Sequence, residues 1–436
     1  GAARPSEARS RSPFWPSAPV PPQYKSAGAR RGAAMLRCFG LGATRHDGFA
    51  KVEVDAAAAR RRQVDAAVRE VADQVRPWSG SPWGFVRDLQ DAGANHGRVE
   101  LMRDASSGDR LAAVKRMPTT WVCPEPAEFD ARHPTAHERP WLDVGLVHHL
   151  GKLGYPHVCR LHSIFRGDKD TYVVSDFCEV GDLFDWCFRG SLPEPGPMRE
   201  ALVRPVAVQT LNAVRWLHDL GIAHRDLSLE NIMLARADGG LQVKLIDFGM
   251  ATLSRTVRHE VRGKPNYQPP EVHTQAVTDT YLGDSFALGV VLFSLALEDF
   301  PWKSTRRCDC SLYGYVASFG FRRFLRKRRL RIKRHGELIS EVLSPELTDV
   351  LDALLQIRPR KRASLGEAAF DDEVARGRRR SVWSLAYLQM PEPHKCVAGE
   401  AFRSASTCAD STCSELSIGW SASDVSSLDR APASGL

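Results

Sequence analysis

Four short polar motifs, set in otherwise apolar sequence, constrain the fold of this 436-residue chain more than any other feature. An apolar, strand-like stretch ends at Lys115, the octet H-R-D-L-S-L-E-N fills residues 224–231, the triplet D-F-G fills 247–249, and Pro270-Glu271 follows. Strand-like and helix-like segments alternate around them without long polar gaps, which is typical of a folded domain. We expect the fold to bring these distant ionisable residues together in one site.

The composition divides the chain into three parts. Residues 1–82 are predicted to be a disordered, basic region with one helix, because their first part is rich in Ala, Arg, Pro, Gly and Ser and cannot bury a core. Residues 83–375 are predicted to form the folded domain, and 376–436 a Ser-rich, mostly disordered tail. Met35 is a candidate start of translation, and residues 1–34 are given no function.

The N-terminal helix is predicted over residues 50–76. Its apolar stripe consists of four valines at steps of four and three residues: Val64, Val68, Val71 and Val75. Valines at this spacing share one helix face, and Pro77 ends the pattern. Because the stripe is short, docking on the following domain is favoured over a coiled coil.

Cysteines and apolar runs bear on the compartment. The ten cysteines show no regular framework, and the C-D-C run at 308–310 lacks a second Cys or His pair for zinc. Free thiols in a reducing compartment are therefore predicted, in the cytoplasm or, as the alternative, the nucleus. The longest apolar run, 288–297, is too short to cross a bilayer and is predicted to be a buried helix, so no membrane span is expected.

The positive charge is concentrated in two places. The formal net charge is +8, which favours acidic partners, and most of the excess lies in the first eighty residues and in the run 322–334. Apolar residues alternate with the cations of this run. A surface helix that buries Phe324 and Leu325 is the favoured interpretation, and binding of nucleic acid, acidic lipid or an import receptor is the alternative.

The four motifs together resemble those of eukaryotic protein kinases of the Ser/Thr type. The octet at 224–231 is similar to the family's catalytic loop H-R-D-L-x-x-x-N, and the D-F-G triplet, strand-end Lys115 and Pro270-Glu271 follow the family's order. The resemblance implies an α+β, bilobal fold with a small β-rich N-lobe and a larger helical C-lobe. It also implies transfer of the ATP γ-phosphate to a protein hydroxyl with the help of Mg²⁺.

The resemblance assigns the catalytic roles. Asp226 is expected to accept or orient the proton of the substrate hydroxyl, and Lys115 to contact the α- and β-phosphates. Asn231 and Asp247 are expected to hold Mg²⁺, since two oxygen ligands from separate loops suit this ion. The lysine should also pair with an acid, and both Asp143 and Glu138 are candidates, with a third alternative that neither pairs.

The nucleotide site departs from the family pattern at its phosphate-covering loop. Ala92 and Ala94 replace the first two glycines of G-x-G-x-x-G-x-V, and these methyl groups should weaken the loop's grip on phosphate. The resemblance assigns the following residues to the nucleotide: Gly93, Gly97, Val99, Ala113, Lys115, Ser175 at the gatekeeper position, Asp176, Cys178, Asp182 and Met233.

Two residue exchanges set this chain apart within the catalytic half. Family members usually have Lys two residues after the catalytic Asp and Thr in a G-T-P segment, whereas here Ser228 and Lys264 occupy those positions. We infer that Lys264 reaches Ser228 beside Asp226 and supplies the cation for the γ-phosphate. Glu260 takes the place where a phosphothreonine commonly lies and is predicted to mimic it towards Arg225, although a solvated Glu is the alternative.

Two further matches mark the C-lobe as complete. Asp284 resembles the buried Asp that ties the catalytic loop to a central helix. Arg362 matches the Arg that pairs with the acid of the A-P-E motif, here Glu271. A buried pair of this kind is costly to break on one side.

Other activities stay open at this point. A pseudokinase that serves as a nucleotide-binding or scaffold module is suggested by the alanines in the loop, Asp143 and Ser228, and a small-molecule kinase of similar fold is a third candidate. Ser or Thr is favoured over Tyr as acceptor because the catalytic loop lacks the insertion of tyrosine kinases. Asp182 and Glu230 favour a basic protein substrate.

Overall fold

In the computed structural model, the described residues are 45–92, 97–106, 108, 110–190, 192–237, 240–331 and 336–390. The predictions for Met35, Gly93, Ala94 and the tail from 391 lie outside them. The chain divides into two compact units, Gly1–Asp55 with Asp238–Gly240, and Ala56–Ala237 with Leu241–Leu436. The side-chain contacts reported below all lie in the second unit.

Helices and short strands make up the described chain. Helices α1–α12 are Arg45–Asp73, Pro126–Arg132, Pro140–Lys152, Leu183–Phe188, Pro197–Asp219, Thr280–Leu297, Ser311–Phe319, Phe321–Leu325, Ile339–Val342, Pro345–Leu354, Asp371–Ala375 and Ala386–Gln389. Strands β1–β11 are Arg76–Pro77, Trp83–Ala92, Gly97–Asp104, Leu111–Pro118, Leu161–Arg166, Asp170–Asp176, Gly181–Asp182, Ile232–Ala237, Gly240–Leu245, Thr256–Arg258 and Val277–Asp279.

The N-lobe is a six-stranded sheet in the order β1-β5-β6-β4-β3-β2, counted over the described residues. Strand β4 alternates: Ala112 and Val114 are buried on one face, while Lys115 points to the other. Because successive side chains of a strand point to opposite faces, this alternation delivers the lysine to the cleft side of the sheet. Strand β4 pairs antiparallel with β3 and β6, which fixes its register.

The C-lobe is built around helix α6. Asp279 caps its start by accepting hydrogen bonds from the N–H groups of Tyr281 and Leu282. Among the described helices, α6 is the one long and apolar enough to cross a membrane, and 94% of that stretch is buried inside the domain. The prediction of a buried helix is confirmed, and the helix begins eight residues before the predicted apolar run.

A buried ionic cluster holds α6 against its neighbours. His218 of α5 lies 3.0 Å from Asp284 of α6 through Nε2 and 2.9 Å from Glu367 through Nδ1. Burial would lower the pKa of His218, but the hydrogen bonds to the two carboxylates raise it to about 9. The ring is therefore a cation at neutral pH, and it fixes the position of Asp284.

The predicted pair of Arg362 and Glu271 is present and buried. Arg362 donates to both carboxylate oxygens of Glu271, at 2.6 and 2.9 Å, and also to the carbonyl oxygen of Leu282. Bidentate pairs of this kind combine strength with fixed geometry. The pair ties the end of the activation segment to the C-lobe core.

The folded domain extends beyond the predicted boundaries, 83–375, on both sides. Strand β1 joins the sheet through β5, and α1 runs over Arg45–Asp73 where 50–76 was predicted. At the other end Val382 and Tyr387 are buried, so the tail predicted from residue 376 begins with packed chain. Composition missed both extensions because short segments that complete an existing core need few apolar residues of their own.

Candidate active site

The amine of Lys115 lies among three carboxylates. Its Nζ is 3.6 Å from Asp143 Oδ2, 3.6 Å from Asp247 Oδ1 and 3.7 Å from Glu138 Oε1. Burial would lower the pKa of Lys115, but the negative charges of Asp247, Asp143 and Glu138 outweigh this effect and raise it. The amine is therefore firmly charged, as a phosphate-binding group must be.

Both candidate partners of Lys115 reach it, so the alternative that neither pairs is wrong. Asp143 lies in the first turn of α3 and also accepts a hydrogen bond from the Phe248 N–H at 2.8 Å. Glu138 lies just before α3, and burial raises the pKa of its carboxyl to about 7. Asp143 thus connects the lysine to the D-F-G triplet, while Glu138 adds a charge that is only partly present at neutral pH.

Asp247 is held in a sterically uncommon backbone conformation. Its φ is 65°, in the left-handed region that Asp tolerates better than most residues. The next glycine, Gly249, accepts a hydrogen bond from the Arg139 N–H at 3.0 Å, and a Cβ there would come within 2.8 Å of Glu138 Cγ. Burial would raise the pKa of Asp247, but Lys115 lowers it, so the carboxylate stays ionised.

The catalytic loop is anchored to α6, as predicted. Asp284 accepts hydrogen bonds from the N–H groups of His224 and Arg225, each at 2.8 Å. Above this anchor, the amide of Asn231 donates to Asp226 twice, to its carbonyl oxygen at 2.7 Å and to Oδ2 at 2.9 Å. Burial raises the pKa of Asp226 to about 6 against the opposing charge of Lys264.

The predicted contact between Lys264 and Ser228 is present. The Nζ of Lys264 donates to Ser228 Oγ at 2.9 Å and lies 3.1 Å from Glu230 Oε2. Ser228 is fully buried, whereas Lys264 is 39% exposed. The exchanged residues therefore recreate a cation beside Asp226, and the catalytic role of this cation stays a prediction.

Glu260 takes the predicted position beside Arg225. Its Oε2 accepts from Arg225 at 2.7 Å and lies 2.9 Å from Arg262, so the alternative of a solvated Glu is wrong. Burial would raise the pKa of Glu260, but the hydrogen bond to Arg225 lowers it, and the group is ionised at neutral pH. A fixed carboxylate therefore satisfies the arginine that precedes Asp226.

The residues assigned to the nucleotide line the N-lobe sheet and the segment that follows it. In the strand register, Val99 lies opposite Lys115, and Ala113 lies opposite Ser175. The Ser175 hydroxyl donates to the Ala113 carbonyl oxygen at 3.3 Å. Gly97 opens β3, where a Cβ would overlap the Arg116 carbonyl oxygen. Glycine at this position thus has a packing reason, and its role in phosphate binding stays a prediction.

The other residues assigned to the nucleotide, from the end of β6 onwards, are engaged in structural contacts. Asp176 binds the Arg160 N–H and His162, and Cys178 is buried with its Sγ 3.4 Å from Cys159 Sγ. Met233 pairs with Asp182 between β7 and β8. Asp182 also caps α4 through the Asp185 N–H at 2.8 Å, and burial raises its pKa to about 6. Their nucleotide contacts stay predictions.

The oxygen atoms that a divalent cation requires are present. Within the described chain, Asp226 Oδ1 and Asp247 Oδ1 are buried oxygens without a hydrogen-bond partner. The described residues contain no cluster of three or more His, Cys, Asp or Glu side chains suited to a metal. Asn231 and Asp247 offer oxygen ligands from separate loops, a donor set that fits Mg²⁺, which takes its other ligands from water and phosphate. When bound, Mg²⁺ neutralises phosphate charge.

Some functional contacts gave no signal in the sequence. Glu230 pairs with Lys264, and the Tyr267 hydroxyl accepts a hydrogen bond from the Leu229 N–H at 3.2 Å. His218 and Glu367, which fix Asp284, come from segments 149 residues apart. The position of Glu230 within the octet at 224–231 could have indicated its contact with Lys264. No local sequence pattern identifies the other contacts.

The basic run is largely part of the C-lobe structure. Phe324 and Leu325 are buried, Arg328 is almost buried and pairs with Asp299 at 2.6 Å, and Arg322 pairs with Asp349 and Asp352. Residues 332–335 lie outside the described part. The favoured interpretation, a surface helix that buries Phe324 and Leu325, agrees with the helix Phe321–Leu325. The rest of the run, as far as residue 331, is not helical.

Comparison with known proteins agrees with this geometry. The family model for the protein kinase domain matches residues 144–372. The chain is 35% identical over 158 residues to CBL-interacting serine/threonine-protein kinase 26 of Arabidopsis thaliana, covering 35% of this chain and 34% of the relative. It is 26% identical over 233 residues to serine/threonine-protein kinase RAD53 of Saccharomyces cerevisiae, covering 50% and 26%. The chain spans between about a quarter and a third of the length of these relatives.

The bilobal, α+β fold and the cleft that gathers a lysine, an asparagine and two aspartates are those of the protein kinase fold. The chain belongs to the protein kinase family. The predicted fold class and family are confirmed. Members of this family generally use ATP and Mg²⁺ and act on protein substrates.

Proposed function

We propose that this chain is an ATP-dependent serine/threonine protein kinase. The observation that carries the proposal is the arrangement around Lys115 and Asp226: a charged amine on one wall of the cleft faces two buried carboxylate oxygens, Asp226 Oδ1 and Asp247 Oδ1, that have no hydrogen-bond partner. Such groups are costly to bury unless a ligand completes them. A magnesium-bound triphosphate supplies both the anions and the cation that they lack.

The residues divide the reaction between them. Lys115 binds phosphate oxygens, Asn231 and Asp247 hold Mg²⁺, and Asp226 takes the proton of the substrate hydroxyl. Asn231 orients Asp226 through two hydrogen bonds, so the free oxygen, Oδ1, is the one aimed at the substrate. Lys264 adds positive charge beside the position where the phosphoryl group passes.

The substrate is proposed to be a protein Ser or Thr hydroxyl. The names of the similar relatives agree with this acceptor. The predicted preference for basic peptides has a weaker basis, because Glu230 is paired with Lys264 and Asp182 caps a helix. We propose a reducing compartment, the cytoplasm or the nucleus, in keeping with the Cys159 and Cys178 thiols.

The proposal is tested by phosphate incorporation into a basic protein, compared between the wild-type chain and Asp226→Asn. The wild type should label Ser and Thr, and the variant should lose about 10²–10⁴-fold in rate because the proton acceptor is gone. Thermal stabilisation by Mg-ATP should persist in the variant. Stabilisation without labelling in the wild type would instead support the pseudokinase, and labelled Tyr would contradict the acceptor assignment.

A further inference from the structure

Helix α1 packs along helix α3, which carries Asp143. Val64, Ala67 and Val71 of α1 are buried, and the half-buried Val68 contacts the apolar clusters on both sides of it. Val64 belongs to the cluster that contains the C-lobe core, and Val71 to the N-lobe cluster with Trp141 and Val144. The predicted stripe therefore docks on the domain and packs into both apolar clusters.

The approach of the two helices depends on one glycine. A Cβ at Gly145 of α3 would overlap Val68 Cγ2 and lie 3.3 Å from Val68 Cα. Glycine in a helix interior is otherwise unfavourable, so its presence has a packing reason here. By contrast, a Cβ at Gly151, in the same helix, would meet nothing within 4 Å.

Two further contacts hold α1 in place. Glu70 lies 2.7 Å from Lys152 Nζ and 3.3 Å from His148 Nε2, at the C-terminal half of α3. From the middle of α1, the Arg60 side chain lies against Gly221, three residues before His224. The part of α1 from Arg60 to Glu70 thus contacts both the segment before the catalytic loop and the end of α3.

The opposite face of α3 forms part of the site. Two residues apart on an α-helix are separated by about 200°, so Gly145 faces α1 while Asp143 faces away from it. Asp143 contacts Lys115 and accepts from the Phe248 N–H. A displacement of α3 at Gly145 is therefore transmitted directly to Asp143 and to the D-F-G triplet.

We propose that Val68 and Gly145 are positioning residues for phosphoryl transfer, and that α1 is a built-in brace that holds α3, and with it Asp143, against Lys115. The inference rests on the proposed kinase function. It adds that the segment before the kinase sheet belongs to the machinery that sets the rate.

The test uses the full chain with Gly145→Ala, the matched control Gly151→Ala, and the double variant Val68→Ala/Gly145→Ala. Alanine is a better helix former than glycine, so both single changes should stabilise α3 by helix propensity. They differ because only the methyl group added at Gly145 clashes with Val68. Gly145→Ala should lower kcat roughly tenfold or more, with a smaller change in KM for ATP, because misplacement by a fraction of an ångström suffices. Gly151→Ala should stay within about twofold of the wild type. The double variant, which removes the clashing methyl group, should regain most of the loss.

A second measurement separates this inference from the proposed function. Hydrogen exchange in the nucleotide-free protein should show faster exchange at the Phe248 amide in Gly145→Ala and recovery in the double variant, at a temperature where all variants are folded. If the wild type transfers no phosphate, the proposed function fails. The exchange rate at the Phe248 amide, compared between the wild type and Gly145→Ala, still tests whether α1 holds α3 in place. The proposal that α1 acts as a brace would be overturned by either of two results. One is a Gly145→Ala variant with the exchange rate and kcat of the wild type, and the other is a double variant that shows no recovery.

Discussion

The two walls of the cleft hold their charged groups in different ways. On the C-lobe wall, Asn231, Lys264 and Arg225 bind their partners through hydrogen bonds of 2.7 to 2.9 Å. On the N-lobe wall, Lys115 is surrounded by three carboxylates at 3.6 to 3.7 Å, longer than a hydrogen bond. The C-lobe wall is preorganised by its own contacts, whereas the N-lobe wall depends on how α3 is packed.

After Asp226 itself, the largest expected effect on the C-lobe wall is that of Lys264. Lys264→Ala should lower kcat about 10²-fold, because it removes a cation from beside Asp226, and Lys264→Arg should lose much less. Steady-state kinetics with ATP and a protein substrate measure both. Turnover like that of the wild type in the Ala variant would contradict the role given to Lys264.

The pH profile sharpens this prediction. Asp226 acts as a carboxylate and its pKa is raised to about 6 by burial, so activity should fall as the pH drops through about 6. Lys264 lowers that pKa, and its removal should shift the acidic limb to higher pH. Lys264→Arg should leave the acidic limb of the pH profile in place. An unshifted acidic limb in Lys264→Ala would refute the claim that Lys264 lowers the pKa of Asp226.

On the N-lobe wall, Asp143 and Glu138 should differ. Asp143→Asn should lower kcat about tenfold, because it weakens the hydrogen bond to the Phe248 N–H and removes the acid next to Lys115, a carboxyl whose pKa burial raises. Glu138→Gln should cost only about twofold, since the carboxyl has a pKa of about 7 and is partly neutral already. Kinetics of both variants at pH 7 measure the difference, and the reverse order would show that Glu138 is the main partner.

The smallest expected effect concerns the activation segment. Glu260→Gln should lower kcat about threefold, because Arg225 loses its negative partner but keeps a hydrogen-bond acceptor. The ionised Glu260 also predicts that phosphatase treatment leaves the wild-type rate unchanged. A large loss of activity after phosphatase treatment would show that Glu260 does not replace a phosphate.

Motif register predicted the C-lobe wall better than the N-lobe wall. Lys264 with Ser228 and Glu271 with Arg362 could be paired from the sequence because the family's spacing fixes both positions of each pair. Glu138 could not be assigned, because it lies within an inserted stretch, 121–140, whose sequence has no periodic pattern. The valine stripe predicted docking, but Gly145, its contact on the domain, emerges only from the packing.

Long-range ionic partners were also beyond the sequence. His218 binds both Asp284 and Glu367, the three residues come from separate segments, and nothing local in the sequence indicates that they meet. The fold class and the four central residues could be predicted because their chemistry requires fixed residue types. The supporting contacts vary freely as long as the packing is satisfied.

The most direct test of the account is ATP binding by calorimetry, with Mg²⁺ and with a chelator, for the wild type and Asp247→Asn. The wild type should bind ATP at least about tenfold more tightly with Mg²⁺, and the variant should lose this difference because the ionised ligand is gone. Equal binding with and without Mg²⁺ in the wild type, or full Mg²⁺ dependence in Asp247→Asn, would contradict the claim that Lys115, Asp226, Asn231 and Asp247 form one site for a magnesium-bound triphosphate.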